Sequence, residues 1–218
     1  MNNFTYSVPT KIHFGKGQIS HLYELSESGN KVLLCYGGGS IKKAGIYDEA
    51  VKILKEEDIE IFELSGIAPN PKIESVREGV KLCKENDIDM VLAIGGGSVI
   101  DCAKVVAAGA CYDGDPWDLV ITPRWIKKAL PIYSVLTLSA TGSEMDPFAV
   151  ISDMSKNEKW GTSSEHMKPK MSILDPEYTY SVSKKQTAAG TADMISHICE
   201  NYFTNVKNAD VQARFAEG

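Results

Sequence analysis

The sequence predicts an α/β fold in which a parallel sheet, with helices packed on it, is followed by a segment that is helical only. Three observations carry this. From about Lys31 short apolar runs alternate with amphipathic ones, the pattern of βα units feeding a parallel sheet. Two of those apolar runs end directly in a GGGS turn, at 37–40 and again at 95–98. Beyond Asp175-Pro176 the segment SKKQTAAGTADMISHICENYF keeps a helical period with no strand beside it, which places a domain boundary near Tyr180 and divides 1–180 from 181–218.

In chain order, KVLLCY (31–36) is a buried strand, because a strand covered on both faces reads as a continuous apolar run. A Gly-rich turn and a helix rich in Lys and Glu follow, to about Glu57. IEIFEL (59–64) is the next strand, and the two prolines of GIAPNPK then break the chain. An amphipathic helix over 73–86 carries Val76, Val80 and Leu82 inward. MVLAI (90–94) is a third strand, opening through Gly95 to Ser98 into the small-residue helix CAKVVAAGA, and PIYSVLTL (131–138) is a further strand. The chain stops in NADVQARFAEG, a helical segment without capping or tail chemistry, and the expectation is of an incomplete molecule.

Composition excludes several functions. With 43% hydrophobic and 24% charged residues the chain can build one sizeable core, while a net charge of -6 with scattered Lys and Arg argues against nucleic acid as a partner. The N-terminus has no apolar run behind a basic start and no window is long and apolar enough to span a bilayer, so the default compartment is the cytoplasm. Five cysteines with no CxxC pair suit reduced thiols better than a disulfide frame or a structural zinc site.

A glycine cluster at the carboxyl end of a strand, opening a helix, lets backbone N–H groups approach a phosphate with no Cβ in the way. Gly95, Gly96, Gly97 and Ser98 meet that description, although they are not the GxGxxG fingerprint. The same residues also read as a tight turn in which Ser98 and Asp101 form an S-x-x-D capping box, and both readings are expected to hold. Thr137 to Glu144, TLSATGSE, offers hydroxyls and amides to a ribose or diphosphate; as a plain polar turn, Thr141 and Glu144 would cap a helix.

Together GGGSVIDCAK (95–104), TLSATGSE (137–144), the LDP turn (174–176) with Tyr178, and GTADMISHICENYF (190–203) resemble the group III metal-dependent alcohol dehydrogenases, closest to the butanol dehydrogenase and aldehyde reductase branch. The resemblance covers essentially the whole chain. It implies a Rossmann-like dinucleotide-binding domain over 1–180 and the start of an all-helical metal-binding domain over 181–218. It implies interconversion of primary alcohols and aldehydes by an NAD(P)-linked enzyme; members of the family are often homodimers, but the sequence itself shows no interface. Carried over residue by residue, Gly96, Gly97 and Ser98 cradle the cofactor diphosphate with Asp101 toward the nicotinamide. Thr137, Leu138 and Thr141 line the nucleotide, and Lys159 and Tyr178 contact it; Lys159 alone also reads as a solvated surface lysine.

Asp193 and His197 are four apart on one helical face and can share a cation. The bare spacing is a weak signal; the resemblance makes them ligands of Fe²⁺ or Zn²⁺, two of the four it implies. The turn Gly37, Gly38, Gly39 and Ser40, with Lys42 and Lys43 near it, has no carboxylate to repel a 2′-phosphate, so NADP(H) is expected over NAD(H). A glycerol dehydrogenase-like polyol enzyme and a noncatalytic nucleotide-binding module are the rival readings. On two ligands, 1–218 alone is expected to bind nucleotide without turnover.

Overall fold

A computed structural model describes Asn3 and residues 7–218, so the reading of the N-terminus as free of a signal rests partly on residues outside those described. The chain divides into two compact units, Met1–Thr179 and Tyr180–Gly218. The first carries a six-stranded, all-parallel sheet of β1 (Lys11–Phe14), β2 (Lys31–Tyr36), β3 (Glu60–Leu64), β4 (Met90–Gly95), β5 (Ile132–Leu136) and β8 (Met171–Leu174). Their order across the sheet is β1-β8-β5-β4-β2-β3. An antiparallel hairpin, β6 (Phe148–Asp153) and β7 (Glu158–Ser163), forms a second small sheet.

Successive side chains of a strand face opposite sides, and β2 sorts its residues accordingly. Leu33 and Cys35 join one apolar layer, which contains α3 (Ile73–Asn86), α4 (Gly97–Ala110) and α5 (Pro116–Ile121). Val32, Leu34 and Tyr36 join the other, with α1 (Ser40–Lys43), α2 (Ile46–Glu56) and a 3-10 segment over Gln18–Ser28. Burial on both faces is why β2, β4 and β5 were legible as unbroken apolar runs. The sequence reading missed β1, β6, β7, β8 and α5. β1 is a half-exposed edge strand, and β8 has four residues, one of them Ser172.

Three local expectations are corrected. The helix expected to about Glu57 is broken at Ala44 and Gly45, where Gly45 has φ 77°, a left-handed value that ends α1 before α2 starts. The capping box does not form: the N-cap of α4 is Gly96 with no side-chain cap, and both Ser98 and Asp101 are turned to other partners. Nor does a helix follow Thr141 and Glu144; the amides of Met145 and Asp146 bond to the Gly142 carbonyl in a turn that leads into β6. On α3, Val76 and Val80 are buried as expected, but Leu82 is only half-buried and Cys83 takes the inward position.

Helix α4 is buried along almost its whole length, and in its middle lies Lys104 with no solvent exposure. Its ammonium donates to Ser143 Oγ at 2.9 Å, Asp146 Oδ1 at 2.9 Å and the Phe148 carbonyl at 2.8 Å. Burial holds its pKa below the ordinary lysine value, against the opposing pull of Asp146. One turn earlier Asp101 accepts from Ser143 Oγ at 2.7 Å and from the Val150 amide at 3.0 Å.

The second unit has α6 (Lys184–Tyr202) and α7 (Asp210–Glu217), with Ser183 capping α6 through the Gln186 amide. Neither helix buries a residue, and Ile195, Ile198 and Phe203 are exposed. All five cysteines are free thiols, and burial pushes Cys83 and Cys102 up to about 12. Among the described residues no helix is long and apolar enough to cross a membrane.

Lys104→Met removes three hydrogen bonds from a dry position and leaves Asp146 without its cation. The expected cost is about 3 kcal/mol, read as a lower urea midpoint at unchanged slope. Lys81→Met, which removes an exposed ammonium 3.7 Å from Glu85, should change stability by less than about 0.5 kcal/mol. Equal midpoints for the two variants would show that the buried lysine does not hold the 143–148 loop.

Candidate functional site

The sheet order creates the site. β2 and β4 are neighbours, with Tyr36 opposite Ile94, yet α1 and α2 after β2 pack on one face while α4 after β4 packs on the other. The two connections leave the carboxyl edge in opposite directions, and the crevice between them is where open α/β sheets take ligands. Both GGGS turns stand at it.

The turn after β4 is built against the hydroxyl loop after β5. Gly95 pairs with Leu136, and the Thr137 amide donates to the Gly95 carbonyl at 3.0 Å. A Cβ on Gly97 would lie 2.8 Å from Thr141 Oγ1, and one on Gly96 would lie 3.3 Å from Leu138 Cβ. Only glycine lets the two loops approach this closely. The first turn of α4 thus reaches the crevice with N–H groups that have no intrahelical acceptor and with the positive end of the helix dipole.

Ser98 Oγ accepts from the Asn70 amide at 3.3 Å, and Asn70 Oδ1 accepts from the Lys159 ammonium at 2.8 Å. Asn70, at φ 54°, therefore joins β7 to the start of α4, and Ser98 and Lys159 are brought together through it. Asp101 has both carboxylate oxygens engaged, by Ser143 and Val150, and burial raises its pKa although those bonds oppose the rise. Its observed contacts hold the loop.

The turn after β2 is more open. The Gly66 amide bonds to the Gly37 carbonyl at 3.1 Å, a Cβ on Gly38 would meet nothing within 4 Å, and Gly39 at φ 94° precedes Ser40, the first residue of α1. Lys42, expected beside a phosphate, is already held. Its ammonium lies 4.2 Å from the Tyr47 ring centroid, 4.9 Å from that of Tyr36, and 3.6 Å from Glu63 Oε2. The hydroxyls of Tyr36 and Tyr47 both donate to Glu63. Burial alone would raise the Glu63 pKa, but these two bonds and Lys42 outweigh it and keep the carboxyl low; the bond to Glu63 also lifts Tyr47 to about 12.

Tyr178 lies on the other face of the sheet from α4, packed into the layer that contains α2, where burial and then Glu49 raise its pKa. No described contact brings it to the Gly95 turn. In the second unit Asp193 Oδ1 and His197 Nε2 stand 3.7 Å apart on one face of α6, both exposed.

Sequence reasoning missed Asn70, Ser143, Asp146, Glu63 and the structural part of Lys104. A lysine inside CAKVVAAGA is itself a signal, since lysine is almost never buried without partners.

Residues 9–176 match the family model described as iron-containing alcohol dehydrogenase. The chain is 58% identical over 218 residues to NADH-dependent butanol dehydrogenase A of Clostridium acetobutylicum, and 44% identical to NADPH-dependent aldehyde reductase YqhD of Escherichia coli. It spans all of its own length and 56% to 57% of theirs. A crystal structure of NADH-dependent butanol dehydrogenase A from Thermotoga maritima superposes with a TM-score of 0.95 at 49% identity, covering 100% of this chain and 55% of that one. The chain belongs to the iron-containing alcohol dehydrogenase family.

Proposed function

We propose that this chain binds NAD(P)(H) in the crevice between β2 and β4, with 1–180 as the dinucleotide-binding domain and 181–218 as the start of a metal-binding one. Its activity is the metal-dependent interconversion of primary alcohols and aldehydes. The observation that supports this reading most is the contact of the Gly95 to Ser98 turn with the 137–144 loop at the point where the sheet's connections part. The butanol dehydrogenase and aldehyde reductase names of the relatives supply the substrate class and do not favour the polyol alternative.

In this reading Gly95, Gly96, Gly97 and Ser98 receive the diphosphate on backbone N–H groups, while Thr137, Leu138 and Thr141 line the nucleotide. Lys159 gives a cation at the crevice, already oriented by Asn70. Tyr178 enters as a cofactor contact on family resemblance alone. Asp101 and Lys104 position the hydroxyl loop, and Asp193 and His197 hold a divalent cation, Fe²⁺ or Zn²⁺, for which one carboxylate and one imidazole on a shared helix face are suitable donors. When bound, the nicotinamide supplies or takes hydride and the cation polarises the substrate oxygen.

NADP(H) is proposed over NAD(H). The support is the turn of Gly37, Gly38, Gly39 and Ser40, with no carboxylate of its own, and the exposed Lys43; Lys42 is discounted because Glu63 holds it.

Three measurements test this. Gly97→Val forces a branched side chain onto Thr141, and nucleotide affinity should fall by about tenfold or more, about 1.4 kcal/mol; unchanged NADPH titration curves would sink the diphosphate site. Gly38→Asp enters open space, so its effect is electrostatic, and the ratio of NADPH to NADH affinity should drop by about tenfold. Tighter binding of NADH than NADPH by the parent protein would overturn the preference. In the complete enzyme, Asp193→Ala or His197→Ala should lower metal content and butanal reduction together, and full occupancy with normal rates would remove the pair as ligands.

A further inference from the structure

On the far side of the sheet from β3, at the β1 edge, three potential ligands converge. His13 projects from β1, and His21 and Glu24 come from the 3-10 segment over Gln18–Ser28. One ligand atom from each lies within 4.8 Å of the other two. His13 Nε2 stands 2.9 Å and His21 Nδ1 3.2 Å from the same oxygen, Glu24 Oε1. The imidazole rings stack at 3.6 Å between centroids with 9° between planes.

Two details separate this cluster from an ordinary surface ion pair. His13 Nε2 is shielded from solvent and, despite its 2.9 Å approach to Glu24, lacks the alignment of a hydrogen bond and has no other partner among the described residues. A buried nitrogen lone pair or N–H left in that state is costly, and a cation is one way to satisfy it. Second, Lys11 binds the other carboxylate oxygen, Oε2, at 2.7 Å, so Oε1 is left to face the two rings.

We infer that His13, His21 and Glu24 form a second divalent-cation site, distinct from the Asp193 and His197 pair, which takes a borderline metal such as Zn²⁺ or Ni²⁺. Two imidazoles and one carboxylate are a donor set that zinc accepts with water in a fourth position, and it discriminates against Mg²⁺ and Ca²⁺, which need more oxygen ligands. Tetrahedral zinc with ligands at about 2.1 Å sets them roughly 3.4 Å apart, so Glu24 Oε1 moves slightly away from the two imidazole nitrogens, which stand 2.9 and 3.2 Å from it, as the ion enters between them. Parallel rings cannot both aim a nitrogen at one cation, so at least one ring leaves the stack; His21, the more exposed at 30% against 16% for His13, is the one free to turn. The bound ion staples the edge strand β1 to the segment that packs under it.

The test is Zn²⁺ titration by calorimetry of the whole protein, without an affinity tag, in the His197→Ala background so that the α6 pair does not contribute. One bound Zn²⁺ per chain is expected, with no heat from Mg²⁺, and the ion should raise the melting temperature. His21→Ala, a change at a half-exposed ring that leaves folding intact, should weaken binding by about a hundredfold, and His13→Gln should do the same. Lys11→Met removes the competing ammonium and should tighten binding, whereas a purely structural ion pair would show no metal response to it. Equal stoichiometry and affinity in His21→Ala and its parent, or no Zn²⁺ binding in the His197→Ala background, would overturn the site.

Discussion

A lysine ammonium has no place in a dry helix interface unless every proton meets an acceptor, and the desolvation it would otherwise suffer is several kcal/mol. Lys104 meets that condition through Ser143, Asp146 and the Phe148 carbonyl, and Asp101 completes the arrangement from one turn away. The five contacts tie the segment after β5 to the flank of α4. The same end of the 137–144 loop is also held from the sheet, where Ser134 donates to Ser172 and Ser172 donates to the Glu144 carbonyl, each at 2.7 Å. The hydroxyl loop is therefore fixed at its carboxyl end by these polar groups and at its amino end by the bond from the Thr137 amide to the Gly95 carbonyl. Its contact with Gly96 and Gly97 follows from those anchors, which is how a loop of small residues acquires a defined position at a crevice.

The crevice itself is a property of chain order. β4 returns past β2 to lie on its inner side, and the helices that follow the two strands go to opposite faces. A helix start then points into the gap from one side and an open glycine turn lines it from the other. Charge around the second turn is largely self-neutralised: Lys42 sits over two tyrosine rings and against Glu63, which both tyrosines also hold. A 2′-phosphate at this turn would meet Ser40, backbone amides and Lys43 with Glu63 close behind Lys42. In the proposed reading, discrimination between the two cofactor forms is a balance among these groups, and relatives named for NADH and for NADPH both occur.

The two ends of the sheet differ in the same physical terms. β3 closes one edge under the Tyr36, Tyr47 and Glu63 cluster, whose hydroxyls satisfy the carboxylate. At the other edge β1 sets His13 beside Glu24 without a matched hydrogen bond. Polar satisfaction is complete at the first and incomplete at the second, and an incompletely satisfied polar cluster is where a bound ion has most to contribute.

The apolar runs of β2, β4 and β5, the amphipathic period of α3 and the glycine turns at 37–40 and 95–98 were legible in the sequence, because burial on both faces and the absence of Cβ atoms are written in residue type. So was the one-turn spacing of Asp193 and His197. The edge strand β1, its neighbour β8 and the hairpin β6 and β7 were not, since short strands of mixed burial have no periodicity strong enough to separate them from loops. Local rules also misassigned Ser98 and Asp101: the S-x-x-D pattern permits a capping box, but partners at Asn70, Ser143 and Val150, brought in from 28 to 49 residues away, compete for the same side chains and win. Residue type and order along the chain marked the glycine turns as candidates to receive a phosphate, and family resemblance, more than the bare spacing, marked Asp193 and His197 as a candidate cation pair. Only tertiary packing decided which turn meets which loop, what Lys42 and Lys104 hold, and that His13 faces Glu24, because those outcomes depend on contacts between segments whose separation along the chain carries no local signal.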